Sequence, residues 1–80
     1  MRTLNDSAVK KAFGRAVRKA RLAAGFSQME LADRAGLHFT FVSAVERGVR
    51  NISLVNIVRL AKALAVEPEQ LFEEISTSTK

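Results

Sequence analysis

Three glycines divide this chain into short segments whose apolar residues repeat at helical spacing. Gly25, Gly36 and Gly48 each follow a segment in which apolar residues recur three and four positions apart. Glycine readily adopts the left-handed conformation in which many helices end. The segments lack the strict apolar–polar alternation that predicts strands. The sequence therefore predicts an all-α fold of five short helices, forming one domain over residues 1–80.

Capping residues set the expected boundaries of these helices. Asp6 or Ser7 can cap the first helix, Ser27 begins a Ser-x-x-Glu capping box, and Ser53 can cap the fourth helix. Pro68 stands at the preferred first position of the fifth. The helices are expected at about residues 7–24, 28–35, 38–47, 54–64 and 68–75, followed by a polar tail at 76–80.

Apolar stripes indicate which side of each helix faces the core. The stripe of the first helix contains Val9, Ala12, Phe13, Ala16, Val17 and Ala20. The stripe of the fourth helix contains Leu54, Ile57, Val58, Ala61 and Leu64. Gly14 lies inside the first helix and costs roughly 1 kcal/mol relative to alanine. A close approach by another helix would explain it.

Charge is distributed unevenly along the chain, whose net charge is +5. Residues 1–63 carry 12 Lys and Arg against 4 Asp and Glu, whereas residues 64–80 carry one Lys against 4 Glu. A basic body with an acidic end favours a polyanionic partner such as nucleic acid on one side. A solvated basic surface without a partner is the alternative interpretation.

Several classes of function lack the residues that they need. The absence of cysteine excludes disulfides and thiolate zinc sites and fits a reducing cytosol. No apolar run approaches the roughly 20 residues that span a bilayer, and MRTLNDS lacks the apolar segment of a secretory signal. His38 is the single histidine and has no partners at metal-ligand spacing. The sequence therefore predicts no enzyme, metal, cofactor, membrane span or small-molecule effector.

The segment HFTFVSAVERG, residues 38–48, carries the most informative surface. At 100° per residue, Val42 and Val45 lie about 60° apart and define the inward side of a helix. Phe39 and Phe41 fall on the two flanks. The opposite side carries Thr40, Ser43, Ala44 and Arg47. Small outward side chains let a helix enter the major groove of B-DNA, which is about 12 Å wide. The alternative is a helix packed on both flanks within the monomer.

Residues 8–75 resemble the helix-turn-helix domains of the lambda-repressor/Cro type, and most of all the controller proteins of restriction–modification systems. The likeness runs through VRKARLAAGFSQMELADRAGL, FVSAVERGVRNISLVNIVRLAKALAV and the LF of EQLF. It implies a compact five-helix domain whose second and third helices form the helix-turn-helix. It further implies a sequence-specific transcriptional regulator that binds double-stranded DNA as a symmetric homodimer on a palindromic operator. Such a regulator would be bacterial or phage-encoded, cytoplasmic and associated with the nucleoid.

The resemblance also assigns roles to individual positions. It implies that Ser27 and Gln28, at the start of helix two, bind a phosphate of the DNA backbone. The base-contacting positions are His38, Phe39, Thr40, Ser43 and Ala44. Contacts to the DNA backbone or nearby bases fall to Phe41, Arg47, Arg50 and Asn51. A buried salt bridge between helices one and three falls to Arg21 and Glu46.

The chain departs from its relatives at two base-contacting positions. They often carry Arg, Gln or Ser where this chain has Phe39, and a polar residue where it has Ala44. Neither can make the arginine–guanine contact, the commonest specific one. Direct base contacts are therefore expected to be few, and recognition to depend on thymine methyl groups, on His38 or on DNA shape.

Apolar residues near the C-terminus are candidates for a dimer interface, namely Leu71, Phe72 and Ile75. Some are expected to cover the monomer core and the rest to meet a partner subunit. The alternative is a monomer in which all three face inward. A second functional hypothesis is a protein-interaction module on the same fold, such as an antitoxin or an anti-repressor partner.

Overall fold

The computed structural model describes residues 5–78, which form helices joined by short turns. The first four are α1 (Asp6–Ala24), α2 (Gln28–Ala35), α3 (Phe39–Glu46) and α4 (Leu54–Leu64). A 3-10 turn (Pro68–Phe72) then continues into α5 (Glu73–Ser78). The expected all-α, five-helix fold is confirmed.

The first helix begins one residue earlier than predicted. Asn5, not Asp6 or Ser7, is its N-cap, and the Asn5 side-chain oxygen accepts a hydrogen bond from the Ala8 N–H at 3.1 Å. Asparagine caps a helix as well as aspartate or serine does, so nearby candidates are hard to rank from sequence.

The capping box predicted for the second helix is present. The Glu30 N–H donates to Ser27 Oγ at 3.0 Å, and the Ser27 N–H donates to Glu30 Oε1 at 3.0 Å. Ser53 caps α4 in the same way, accepting from the Asn56 N–H at 3.2 Å. Backbone N–H groups at a helix start have no partner within the helix. The capping box satisfies two of them at the start of α2 and so fixes where this helix begins.

The C-terminal helix differs from the prediction of one helix at 68–75 followed by a tail at 76–80. It starts as a 3-10 turn and then extends as α5 to Ser78. Residues 79 and 80 lie outside the described residues. Residues 76–78 include neither glycine nor proline, so no helix-breaking residue ends the helix at Ile75.

The core draws on every helix from α1 to α4 and on the 3-10 turn. Its largest fully buried side chains are Leu31, Leu60, Leu71, Val17, Val42 and Val45. In α4 the inward stripe is built on Leu60, Ala61 and Leu64. Leu54, 74% exposed, and Val58, 36% exposed, were predicted to be inward and are not. They lie beside the true stripe, on the flank of the helix, where apolar spacing alone cannot separate them from the core.

Helix α1 contacts the end of α3 without room for a side chain between them. A Cβ atom at Gly14 would collide with the carbonyl oxygen of Val45 and lie 2.7 Å from that of Glu46. The predicted close approach at Gly14 is therefore confirmed. At Gly48, where φ is +75°, a Cβ would lie 2.6 Å from Cγ of Lys11. These two contacts fix the C-terminal end of α3 against α1.

Candidate nucleic-acid interface

Helix α3 is held on one side and open on the other. Val42 and Val45 are 0% and 1% exposed and bind the helix to the core. The turn from α2 passes through Gly36, whose φ of +69° is left-handed, and the Leu37 N–H donates to the Ala32 carbonyl oxygen at 2.9 Å. This turn sets the angle between α2 and α3.

The open side of α3 has the small side chains that the sequence predicted. Thr40 and Arg47 are exposed, and Ser43 and Ala44 are half-buried. Arg47 bends back along the helix, and its Nε donates to the Ser43 carbonyl oxygen at 3.4 Å. The surface formed by these four residues is called the α3 outer face below.

The two phenylalanines of α3 have different environments. Phe39 is 45% exposed at the first position of the helix. Phe41 is half-buried and packs against the core cluster. Phe39 is therefore available to a partner, whereas Phe41 is partly a core residue. His38, the N-cap of α3, is exposed and makes no side-chain capping hydrogen bond.

A buried ion pair joins α1 to α3. The Arg21 Nε lies 2.6 Å from Glu46 Oε2, and Arg21 Nη2 donates to Glu46 Oε1 at 3.0 Å. Arg21 Nη1 donates to the Phe26 carbonyl oxygen at 2.8 Å. The side chains of Arg21 and Glu46 are only 8% and 2% exposed. The acid on α3 is thus turned inward and neutralised, so it does not oppose an anion on the α3 outer face.

Gln28 joins this pair to the start of α2. Its Nε2 donates to Glu46 Oε1 at 3.0 Å, and the residue is half-buried. An amide nitrogen carries two N–H donors, so one remains for a phosphate. Ser27 is exposed, and its hydroxyl oxygen accepts the capping hydrogen bond. The phosphate roles assigned to these two residues remain predictions.

The loop after α3 carries the remaining candidate residues. The Val49 N–H donates to the Ala44 carbonyl oxygen at 3.2 Å, which ties the loop to the helix. Arg50 and Asn51 are exposed. The Arg50 guanidinium carbon lies 5.1 Å from the centroid of the Phe41 ring, within the range of a cation–π contact.

A shallow cleft of about 430 Å³ separates the start of α3 from the start of α4. Its lining residues are Gly36, Leu37, His38, Thr40, Phe41, Arg50 and Asn56. Asn56 was not predicted as a site residue. Its position in the first turn after the Ser53 cap is the signal that could have indicated it.

The acidic C-terminal segment packs against α1. Arg15 Nε lies 3.6 Å from Glu74 Oε1, and both side chains are substantially exposed. Part of the charge asymmetry seen in the sequence is thus neutralised within the monomer.

The three residues predicted for the dimer interface differ in how far they are buried in the monomer. Leu71 is 1% exposed and belongs to the monomer core, so its assignment to a dimer interface is wrong. A side chain already enclosed by its own core offers no area to a partner. Phe72 is 39% exposed, with its ring centroid 6.0 Å from that of Phe13, and Ile75 is half-buried.

Further exposed apolar side chains lie on α4. They are Leu54, Val55 and Val58, exposed by 74%, 61% and 36%. Sequence reasoning missed this face because it assigned Leu54 and Val58 to the core. The uninterrupted apolar pair Leu54–Val55 directly after the Ser53 cap could have indicated it, since both residues cannot face inward.

Residues 5–78 contain neither a candidate membrane-spanning helix nor a candidate metal-binding cluster. None of their helices combines the length and apolar character that crossing a membrane requires. No group of three or more His, Cys, Asp or Glu side chains in this part of the chain could hold a metal ion.

Comparison with known proteins identifies similar chains. Residues 17–71 match a family profile described as Helix-turn-helix. The chain is 47% identical over 62 residues to the control protein C.BamHI from Bacillus amyloliquefaciens, an alignment that covers 76% of each chain.

Solved structures give the same likeness. The restriction-modification controller protein C.AhdI from Aeromonas hydrophila is similar with a TM-score of 0.78 and 51% identity, over 79% of this chain and 96% of that one. The restriction-modification controller protein C.Esp1396I, crystallised as a tetramer in complex with its natural 35 base-pair operator, is similar with a TM-score of 0.77 and 27% identity. That match covers 88% of this chain and 92% of that one.

Proposed function

We propose that this chain, which belongs to the helix-turn-helix family of the lambda-repressor/Cro type, is a transcriptional regulator that binds operator DNA through the α3 outer face. The observation that carries the proposal is the arrangement of α3. One side of it is buried, its acid is paired inward with Arg21, and its open side has only small side chains and a cation. The controller proteins that it resembles support this role.

The α3 outer face suits entry into the major groove. The hydroxyl groups of Thr40 and Ser43 can bond base edges or phosphates, and Phe39 and Ala44 can pack against thymine methyl groups. His38 adds ring nitrogens at the start of the helix. Because no arginine or amide side chain stands at positions 39, 40, 43 or 44, base recognition depends on these hydroxyl and histidine groups, on apolar contacts and on DNA shape.

Contacts to the sugar-phosphate backbone would fix the position of α3 in the groove. Ser27 and Gln28 stand at the start of α2, where the helix dipole favours an anion. Arg47, Arg50 and Asn51 stand at the other end of the interface. Phosphate contacts supply much of the affinity for DNA and make that affinity depend on salt.

The partner on the opposite surface is proposed to be a second copy of this chain. Phe72 lies in the 3-10 turn, which contacts α4, and Ile75 follows it on α5. On α4 itself, Leu54, Val55 and Val58 are exposed. A domain of this size has a small core, so burial of such a face would add stability. A two-fold axis through it would set the two α3 helices roughly 34 Å apart, one turn of DNA. The protein would then act at a palindromic operator in the bacterial cytoplasm, without catalysis.

Selection of bound duplexes from a random pool, followed by titration at several salt concentrations, tests the proposal. A specific sequence should emerge, and log Kd should rise linearly with log salt concentration, with a slope near 0.9 for each phosphate contact. Affinity that does not depend on salt would contradict it and favour the protein-interaction module, which the apolar Phe39 and Ala44 would also suit.

Two matched variants locate the interface. Ser43→Glu puts a carboxylate on the α3 outer face and should abolish binding, because it would face phosphate. Lys62→Glu, in the last turn of α4, changes the net charge by twice as much and should weaken binding far less. Equal losses from the two variants would show that charge acts without regard to position and would contradict the proposed interface.

A further inference from the structure

The contact between Arg50 and Phe41 lies beside the proposed interface but was predicted by no sequence pattern. The guanidinium carbon is 5.1 Å from the ring centroid. The ring is half-buried against the core cluster, so it is a fixed support, whereas Arg50 is exposed. Among the described residues, no carboxylate pairs with this guanidinium.

The two side chains stand together in the cleft between the starts of α3 and α4. His38, Thr40 and Asn56 line the same cleft and bring further hydrogen-bonding groups. A cation over a ring face keeps its N–H donors, because the contact is electrostatic and uses none of them. The cleft therefore presents a guanidinium of restricted orientation together with neutral polar groups, and none of the described residues that line it is acidic.

We propose that Phe41 is a positioning residue for Arg50, holding the guanidinium in the cleft to bind a phosphate of the DNA backbone. The planar fork of arginine matches a phosphate with two parallel hydrogen bonds. An unsupported arginine loses much rotamer freedom when it binds, and a contact already formed in the free protein removes part of that cost. This inference rests on the proposed function, since it requires that α3 face DNA.

A double-mutant cycle on the selected duplex tests the inference. The four proteins are the wild type, Phe41→Leu, Arg50→Ala and the double variant, and Kd is measured for each at several salt concentrations. Arg50→Ala should reduce the salt slope by about 0.9, the value for one phosphate contact. Phe41→Leu should weaken binding about 2- to 5-fold, the value of an exposed cation–π contact, when Arg50 is present. It should have little effect in the Arg50→Ala background.

Other variants separate positioning from simpler explanations. Phe41→Tyr keeps the ring and should keep the affinity within about 2-fold, as a retained cation–π contact predicts. Lys62→Ala removes one charge at the far end of α4 and should leave the slope nearly unchanged. Thermal melts check that each variant is folded, and Phe41→Met, which fills a similar volume, replaces Phe41→Leu if that variant unfolds.

The outcomes distinguish this inference from the proposal beneath it. If Phe41→Leu weakens binding equally with and without Arg50, the ring contacts DNA itself and does not position the arginine. An unchanged salt slope in Arg50→Ala would also overturn the inference, because no phosphate contact would have been lost. If the wild-type protein binds no duplex in a salt-dependent manner, the proposed function itself fails.

Discussion

Replacing Glu46 with alanine should strongly destabilise the fold rather than change the DNA preference of the protein. The substitution removes the carboxylate that accepts hydrogen bonds from Arg21 Nε at 2.6 Å, Arg21 Nη2 at 3.0 Å and Gln28 Nε2 at 3.0 Å. Arg21 would keep only its bond to the Phe26 carbonyl oxygen. Its side chain is 8% exposed, so bulk water has little access to the guanidinium that loses its partner.

The expected loss is large for a domain of this size. Removing one member of a buried ion pair costs roughly 3–5 kcal/mol, because the other charge remains buried and unpaired. At about 0.05–0.15 kcal/mol per residue, a chain of 80 residues has a free energy of unfolding of about 4–12 kcal/mol. Each kcal/mol lowers Tm by about 4–8 °C in a domain of this length, so Tm should fall by about 12–40 °C.

Urea and thermal unfolding followed by circular dichroism measure this loss. The matched control is Glu74→Ala, which breaks the exposed pair with Arg15, whose side chains are 54% and 41% exposed. That control should cost less than about 1 kcal/mol. A second test is the joint substitution of Arg21→Met and Glu46→Leu, which should recover most of the loss because no charge stays buried. A Glu46→Ala protein within about 1 kcal/mol of wild type would refute the reasoning.

Three further predictions concern the interface, the dimer and a helix end. Phe39→Arg should change the selected DNA sequence and leave the melt unchanged, since the residue is 45% exposed; unaltered affinity and preference would show that it does not contact bases. Phe72→Glu should dissociate the dimer in sedimentation, whereas Leu22→Glu, at a residue 57% exposed on α1, should not; a persisting dimer would contradict this placement. Ala65→Gly should raise the free energy of unfolding by about 0.5–1 kcal/mol in urea titrations. Ala65 ends α4 at a left-handed φ of +56°, which glycine adopts without the steric cost of a Cβ. A loss of stability would contradict this.

The helices could be predicted from sequence because their signals are local. A capping serine and a glycine stop act within one turn, so Ser27 and Gly36 fix α2 without reference to the rest of the chain. The N-cap of α1 was harder to predict because Asn5, Asp6 and Ser7 are adjacent and each can cap a helix.

Burial on the helix flanks could not be predicted in the same way. Apolar spacing defines a stripe, but the width of the core that it meets depends on how neighbouring helices pack. Leu54 and Val58 were therefore assigned inward and Leu60 was missed, while Leu71, a candidate for the dimer interface, is buried in the monomer core. Each error concerns a contact between elements distant in sequence.

In the candidate interface, too, features set by local helix geometry were predictable from sequence, whereas contacts between distant segments were not. The outward direction of Thr40 and Ser43 follows from helical geometry, whereas the pairing of Arg21 with Glu46 was expected only from the resemblance to a family. The contact of Arg50 with Phe41 depends on the path of the loop after α3, which no local pattern encodes.

The contact at Gly14 has a consequence for how this protein can evolve or be redesigned. Since α1 and α3 meet there backbone to backbone, any Cβ at position 14 would strike a carbonyl oxygen and push the end of α3 away from α1. Substitution of Gly14 would therefore change the placement of α3, whereas exchange of its outward residues leaves this contact intact. A protein engineer who exchanges the outward residues of α3 should accordingly keep Gly14.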